Sequence, residues 1–217
     1  MYKYALKSVE MSLFLLKENQ DLSKIPVSRL RWYSLANYLY GETLSYMINP
    51  QTQEKESQEK LLFYALKHSE EAAHKGCKAD INILVLDAAK QFWNICTRLK
   101  DSATNRKALI KPIFTMMYYL KTVKENTEPD LILLLNRLLT QAALENNEFE
   151  LGESVTDMAF ELVPKHLQRT LWESKMVFLS KQGKNELQAI NNMKEADQNL
   201  QARLWIRLAR TSVNTNK

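Results

Sequence analysis

Along almost the whole chain, apolar residues return every three or four positions, and no convincing stretch alternates in twos. That spacing belongs to helices with one buried face, so the sequence reads as all-α. Punctuation agrees. Four glycines and five prolines in 217 residues are too few turn-formers for a barrel, a sandwich or a Gly-loop nucleotide fold. No apolar run approaches the roughly 18 residues needed to cross a bilayer. The longest candidates, Ile81 to Leu86 and Leu131 to Leu135, are flanked by polar groups, which argues against membrane insertion. The segment Met1 to Leu16 reads as a helix rather than a signal peptide, because Glu10 interrupts its apolar patch and no small-residue cleavage site follows. Cys77 and Cys96, the two cysteines, belong to no CxxC pair and point to a reducing compartment.

Breaks between helices are expected at Asp21 to Pro26, Asn49-Pro50, Gly76, Asp101 to Asn105, Thr127 to Asp130, Asn146-Asn147, Val163-Pro164 and Gln182 to Asn185. In Thr127-Glu-Pro-Asp130 a capping residue, a first-turn proline and acidic groups combine as a helix start. Pro112 should kink or restart the helix expected over Lys107 to Val123. About nine or ten helices result, and short links make sequence neighbours antiparallel hairpins.

Hairpins in series raise the question of a repeat. From Leu133 to His166 the 34-residue tetratricopeptide (TPR) pattern places Leu139 and Thr140 at the Leu and small positions of the first helix. Phe149 falls on the turn aromatic, Gly152 and Ala159 on the small positions of the second helix, and Pro164 on the terminal proline. Ala143 replaces an aromatic and Asn136 stands where the pattern has Trp. Small residues here should let the second helix approach the first. The run Trp32-x-x-Leu35-Ala36-x-x-Leu39 repeats the first-helix spacing, and Ala65 and Ala72 the second, with the hairpin stretched by Asn49 to Lys60. A looser unit, Leu167 to Ala196, carries Ser174 at the small position and a turn at Gly183. The expectation is therefore a TPR-like α-solenoid of stacked hairpins, an irregular all-helical bundle being the alternative. A single array would run 1–217, divided into an N-terminal helix and turn (1–26), long irregular hairpins (27–126), the best TPR-like unit (127–166) and a C-terminal hairpin and end helix (167–217).

The terminal helices are strongly apolar: Tyr2, Tyr4, Leu6, Val9, Leu13, Phe14 and Leu16 at one end, Leu204, Trp205, Ile206 and Leu208 at the other. Either they cap the core, or an uncovered face supports end-to-end association. Charge is segregated. Residues 1–125 carry +6, 126–164 carry −7 and 165–217 carry +6. The densest basic stretch supplies the candidate partner-binding residues Arg98, Lys100, Arg106, Lys107, Lys111, Lys121 and Lys124. No nucleic-acid-reading module accompanies them and the net charge is only +5, so an acidic protein surface is the expected partner, not nucleic acid.

Chemistry is sparsely provided. His68, His74 and His166 are the only histidines, and with Cys77 they match no zinc spacing; all three histidines read as surface or helix-end residues. Cys96, within Phe92-Trp-Asn-Ile-Cys96, reads as an inert core thiol. No hydrolase, zincin, Walker or dinucleotide motif occurs, so neither enzyme activity nor a cofactor or metal is expected. Trp32, Tyr33, Tyr38, Tyr40, Tyr46, Tyr118 and Tyr119 read mainly as inter-helix packing, some as lining for a peptide groove.

The segments Leu35-Ala-Asn-Tyr-Leu-Tyr-Gly-Glu-Thr-Leu44, Ile48-Asn-Pro-Gln-Thr-Gln-Glu-Lys55 and Asp87-Ala-Ala-Lys-Gln-Phe-Trp-Asn94 resemble the helical-repeat region of the long TPR-containing ciliary scaffolds, the family of cilia- and flagella-associated protein 46. The resemblance spans about residues 29–120. It implies a structural component of the motile-cilium axoneme, in the central apparatus, whose partners are axonemal scaffold subunits or a microtubule-associated assembly. Family members are far longer, and the resemblance carries over no binding residue. The sequence-level alternative is a cytosolic TPR-type adaptor for short peptides of regulatory partners.

Overall fold

The computed structural model describes residues 2–17, 26–184, 186, 190–191 and 198–215, and among these every regular element is helical. In order they are α1 (Tyr2–Lys17), α2 (Val27–Tyr46), α3 (Lys55–Lys78), α4 (Asn82–Leu99), α5 (Ala103–Thr122), α6 (Pro129–Asn146), α7 (Phe149–Leu162), a 3-10 turn at Lys165–Leu167, α8 (Arg169–Lys181) and α9 (Gln198–Thr215). No described helix is long and apolar enough to cross a membrane. The chain divides into two compact units, Met1–Thr127 and Glu128–Lys217. Their boundary falls at the proline-led start of α6.

Most chain breaks lie where turn chemistry puts them. Pro129 opens α6, and Asn147 closes it in the left-handed conformation (φ 59°) that asparagine tolerates. Thr127 does not cap α6: its backbone N–H and its hydroxyl both bond to the Glu125 carboxylate. Further expectations are corrected. Gly76 does not end α3, which continues to Lys78 and closes through Asp80 at φ 54°. Gly76 is instead buried against α4, where a Cβ would lie 3.1 Å from the Leu84 Cβ. Pro112 neither restarts nor ends α5, which is continuous over 20 residues. Leu109, Ile110, Ile113, Met116 and Met117 are buried on both sides of it, and that burial outweighs the backbone bond that proline forfeits. Asn105 likewise lies inside α5, buried, rather than in the preceding break. The break expected at Asp21 to Pro26 falls, apart from Pro26, outside the described residues, as do Asn185 and most of 187–196.

In the first unit α2 packs along α3, α3 along α4, and α1 on α2, while α3 meets α5 and α2 meets α4. Close approach needs small residues. A Cβ on Gly41 would come within 2.9 Å of the Ala65 carbonyl, and Ala65, Ala72 and Ala73 on α3 have no exposed surface. α1 turns Leu6, Val9 and Leu13 inward and leaves Tyr4, Met11, Phe14 and Leu15 exposed, so its outer face is uncovered in this unit. The side chains of Tyr2, Leu16 and Leu208 lie outside the described residues.

In the second unit α7 packs between α6 and α8. Leu135, Leu139, Ala143, Val155 and Ala159 are fully buried. Asn136, in the Trp position, is buried and lies 3.2 Å from the Thr156 hydroxyl, so a polar tether replaces aromatic packing between α6 and α7. Gly152 serves a different contact from the expected one: it faces Phe178 of α8, and a Cβ there would lie 2.3 Å from the ring. Leu204 of α9 joins Met176, Leu179 and Ile190 in a small cluster, while Trp205 and Ile206 remain exposed.

Gly152→Ala should therefore lower stability by about 1–3 kcal/mol through overpacking, and Phe178→Leu should restore part of that loss in the double variant. Urea unfolding of the four chains in the cycle measures it; additive effects would show that the two residues do not meet.

Candidate functional site

On α3 the helical repeat places Ser69, Ala72 and Lys75 toward α2 while Glu70, His74 and Cys77 fall toward α5. The first set forms tethers. The Ser34 hydroxyl donates to the Ala72 carbonyl at 2.7 Å, and the Ser69 hydroxyl lies 2.8 Å from Gln91 Oε1, whose Nε2 donates to the Tyr38 carbonyl at 3.0 Å. Three helices are thereby joined through one buried amide. Lys75 is 4% exposed, with Nζ 3.5 Å from the Glu71 carboxylate and 5.1 Å from the Tyr33 ring centre. Those partners offset the desolvation of its charge.

His68 and His74 are each partly buried against neighbouring helices, His74 lying beside Glu71 near the C-terminal end of α3. His68 is half-buried, its Nδ1 2.9 Å from Asn37 Oδ1, and its ring packs on Tyr40 at 4.2 Å. Burial pushes its pKa below 6.5. His74 stacks on Tyr119 at 5.6 Å. The Glu71 carboxyl is held down to about 2 by His74, 3.9 Å away, and by Lys75, against the opposing effect of partial burial. Burial raises the pKa of Glu70, and the nearby Glu71 charge adds to this while the Thr115 hydroxyl opposes it. Burial also raises Cys77 and strongly raises Cys96, whose side chain is wholly enclosed. His166 is exposed in the 3-10 turn. Among the described residues no three His, Cys, Asp or Glu side chains are placed to hold a metal.

The seven candidate basic residues do not form one patch. Arg98 lies on α4 with its guanidinium donating to the Ser45 carbonyl at 3.3 Å, and Lys100 is exposed at the end of that helix. Arg106 turns back to donate to the carbonyls of Lys100 and Asp101 at 2.7 and 3.1 Å, so it secures the α4–α5 turn. Lys107 and Lys111, one helical turn apart, share an exposed face of α5 with Tyr118. Lys121 is half-buried and engaged, and Lys124 is exposed at φ 53° after the helix.

Clefts follow the helix seams. One of about 310 Å³ between α2 and α4 is lined by Tyr38, Glu42, Tyr46, Asp87, Asn94 and Arg98. Burial, with the Glu42 and Asp87 charges, raises the Tyr38 pKa. An apolar cleft of about 380 Å³ between α1 and α2 includes Trp32, 59% exposed, with Leu15, Leu35 and Leu39. A further cleft, about 750 Å³, lies between α6 and α8 and includes Leu134, Asn136, Arg137, Thr140, Glu173 and Val177. Sequence reasoning missed this last site. One signal was available: Arg137 is the single basic residue in the acidic stretch from Asn126 to Pro164.

Set against known proteins, the chain has no match among family models and none among curated proteins. Of residues 35–44, 48–55 and 87–94, the first and the third segments lie side by side, Tyr38 and Glu42 from α2 and Asp87 and Asn94 from α4 lining one cleft.

His68 and Glu71 set separate acid limits. His68, depressed from 6.5, takes up protons more readily when unfolded, so stability should fall as pH drops below 6.5. Glu71 contributes stability that is complete above 4.5 and lost as pH falls toward about 2. Urea midpoints across pH should lose the upper decline in His68→Gln and part of the lower one in Glu71→Gln; unchanged profiles would contradict both assignments.

Proposed function

We propose that this chain is a non-catalytic protein-interaction scaffold built as a TPR-like α-solenoid, a structural component of the motile-cilium axoneme in its central apparatus. One observation carries the scaffold reading: several buried polar side chains are committed to helix-to-helix tethers, while many charged and aromatic side chains face outward. Ser34, Ser69, Gln91, Asn37 and Thr156 all bond across helices, and Lys75 is neutralised in place. Such an interior fixes spacing rather than chemistry. In each unit the helices that open successive hairpins, α2 and α4 or α6 and α8, flank a cleft, as expected of stacked repeats that present one continuous binding face. The axonemal setting is supported by the resemblance of residues 35–44, 48–55 and 87–94.

A second reading, an adaptor that captures short peptides, is favoured by the clefts themselves. Partners of the basic α5 face would be acidic protein surfaces, because Lys107 and Lys111 are exposed beside Tyr118.

A biotin-ligase fusion of the chain expressed in ciliated cells should label central-apparatus proteins, and cell fractionation should place it with the axoneme. Labelling confined to cytosolic regulatory proteins would favour the adaptor instead, and no enrichment of any protein would end the interaction reading. Lys107→Glu with Lys111→Glu should weaken axonemal retention roughly tenfold and make its loss with salt shallower, because the attraction that salt screens is gone. Retention unaffected by the double reversal would remove α5 from the interface.

A further inference from the structure

Helix α1 carries two apolar faces, and the first unit uses only one of them. Leu6, Val9 and Leu13 turn inward against α2. Two bonds hold that seat: the Tyr40 hydroxyl donates to Glu10 Oε1 at 3.1 Å, and the Arg29 guanidinium donates to the Leu15 carbonyl at 3.2 Å. On the outer side Tyr4, Met11, Phe14 and Leu15 are 55–80% exposed. Exposed Trp32 and Leu39 of α2 continue this surface across the cleft that they share with Leu15. Together the six side chains present roughly 700 Å² of apolar surface. That exceeds the about 300–600 Å² of the largest patch on a typical monomer and approaches the about 800 Å² that each partner buries in a standard interface. Covering it would strand no serine hydroxyl of α1: Ser8 donates to the Tyr4 carbonyl and Ser12 to the Ser8 carbonyl, both at 3.0 Å.

We propose that α1 packs antiparallel against α1 of a second copy, making the chain a twofold homodimer. Spacing identifies the partner. Tyr4, Lys7, Met11 and Phe14 follow one another at intervals of three, four and three residues, the ladder of a coiled-coil seam. That series reads the same in both directions, so an antiparallel copy sets Tyr4 opposite Phe14 and Lys7 opposite Met11, each pair occurring twice by symmetry. Orientation follows from the single charge in the ladder. A parallel pair would press Lys7 against Lys7 inside the seam. The antiparallel pair lays the lysine's aliphatic stem along Met11 and brings its ammonium within reach of Glu10 of the second copy, one residue from that methionine. The last helix matches less well. Trp205 and Ile206 of α9 are adjacent, hence about 100° apart around the helix, and exposed Arg203, one turn before Ile206, would meet Lys7 as a like charge. Pairing through the same face on both chains closes at two, whereas a contact between α1 and α9 would leave an open end on every chain. Such a dimer is compatible with axonemal and cytosolic partners alike.

Sedimentation equilibrium of the full chain over roughly 1–100 μM should show the mass of two chains, falling toward one on dilution as mass action requires. Met11→Glu should weaken pairing at least tenfold, and Trp205→Glu should leave it unchanged, with circular dichroism showing both variants folded. Orientation is read independently, without removing the central contact. Chains carrying Tyr4→Cys are mixed with chains carrying Phe14→Cys and mildly oxidised, and peptide mass mapping should find the mixed disulfide in excess of either symmetric one. A single-chain mass throughout the range, growth beyond two chains, pairing unaffected by Met11→Glu, or symmetric disulfides in excess each overturns the proposal. Pairing lost in Trp205→Glu but kept in Met11→Glu would assign the contact to α9 and overturn it equally.

Discussion

Helix pairs in this protein are held at the separation their smallest residues permit. Gly41 faces the Ala65 carbonyl so closely that a Cβ would collide, Gly152 does the same against Phe178 of α8, and a Cβ on Gly76 would press on Leu84 of α4 at 3.1 Å. Close approach brings more than dispersion. It lets short hydroxyl side chains such as Ser34 reach a backbone carbonyl on the neighbouring helix, at 2.7 Å from Ala72. Each such bond contributes about 1 kcal/mol net, but leaving its partner buried and unmet costs about 1–3 kcal/mol. The tethers thus act chiefly against wrong registers: a helix displaced by one turn would strand Gln91, Ser69 and the Tyr38 carbonyl together.

Charge follows the same geometry. Lys75 can be buried because Glu71, one turn earlier on α3, and the face of Tyr33 on α2 arrive from two directions. Glu71 is held ionised by His74 and by that lysine, while Glu70, half-buried on the side toward α5, is pushed up. Two adjacent carboxyls are driven apart by their different surroundings and by the charge of Glu71 on Glu70. Groups that complete no such network, Lys107 and Lys111 among them, stand in solvent and remain available to another surface.

The interaction reading joins these features without requiring a reactive centre. A tethered interior resists deformation, and clefts between the opening helices of hairpins offer side chains on a fixed frame. The clefts of the two units are not equivalent. Both carry charges of both signs on their rims, but the α2/α4 cleft has a satisfied amide on its floor, whereas in the α6/α8 cleft the Thr140 hydroxyl has no hydrogen-bond partner among the described residues. Their difference arises from single residues, Gln91 in one and Thr140 in the other.

Helical content, the starts and stops at Pro129, Asn147 and Val163, and the burial of Ala65, Ala72 and Cys96 were legible in the sequence, because spacing and turn chemistry act over a few neighbouring residues. What Gly76 and Gly152 pack against, why Pro112 leaves α5 continuous, and the half-burial of His68 were not legible, since each depends on a helix beyond its own. The basic run from Arg98 to Lys124 is contiguous in the chain but dispersed in space: a helix rotates successive residues by about 100° and a turn redirects Arg106 onto backbone carbonyls. Conversely, Arg137 and Thr140 gained their setting only when α8, well downstream, packed beside α6. Local periodicity determined which residues are helical and which faces are apolar; tertiary packing alone decided which faces meet, and hence which polar groups are satisfied and which are left for a partner.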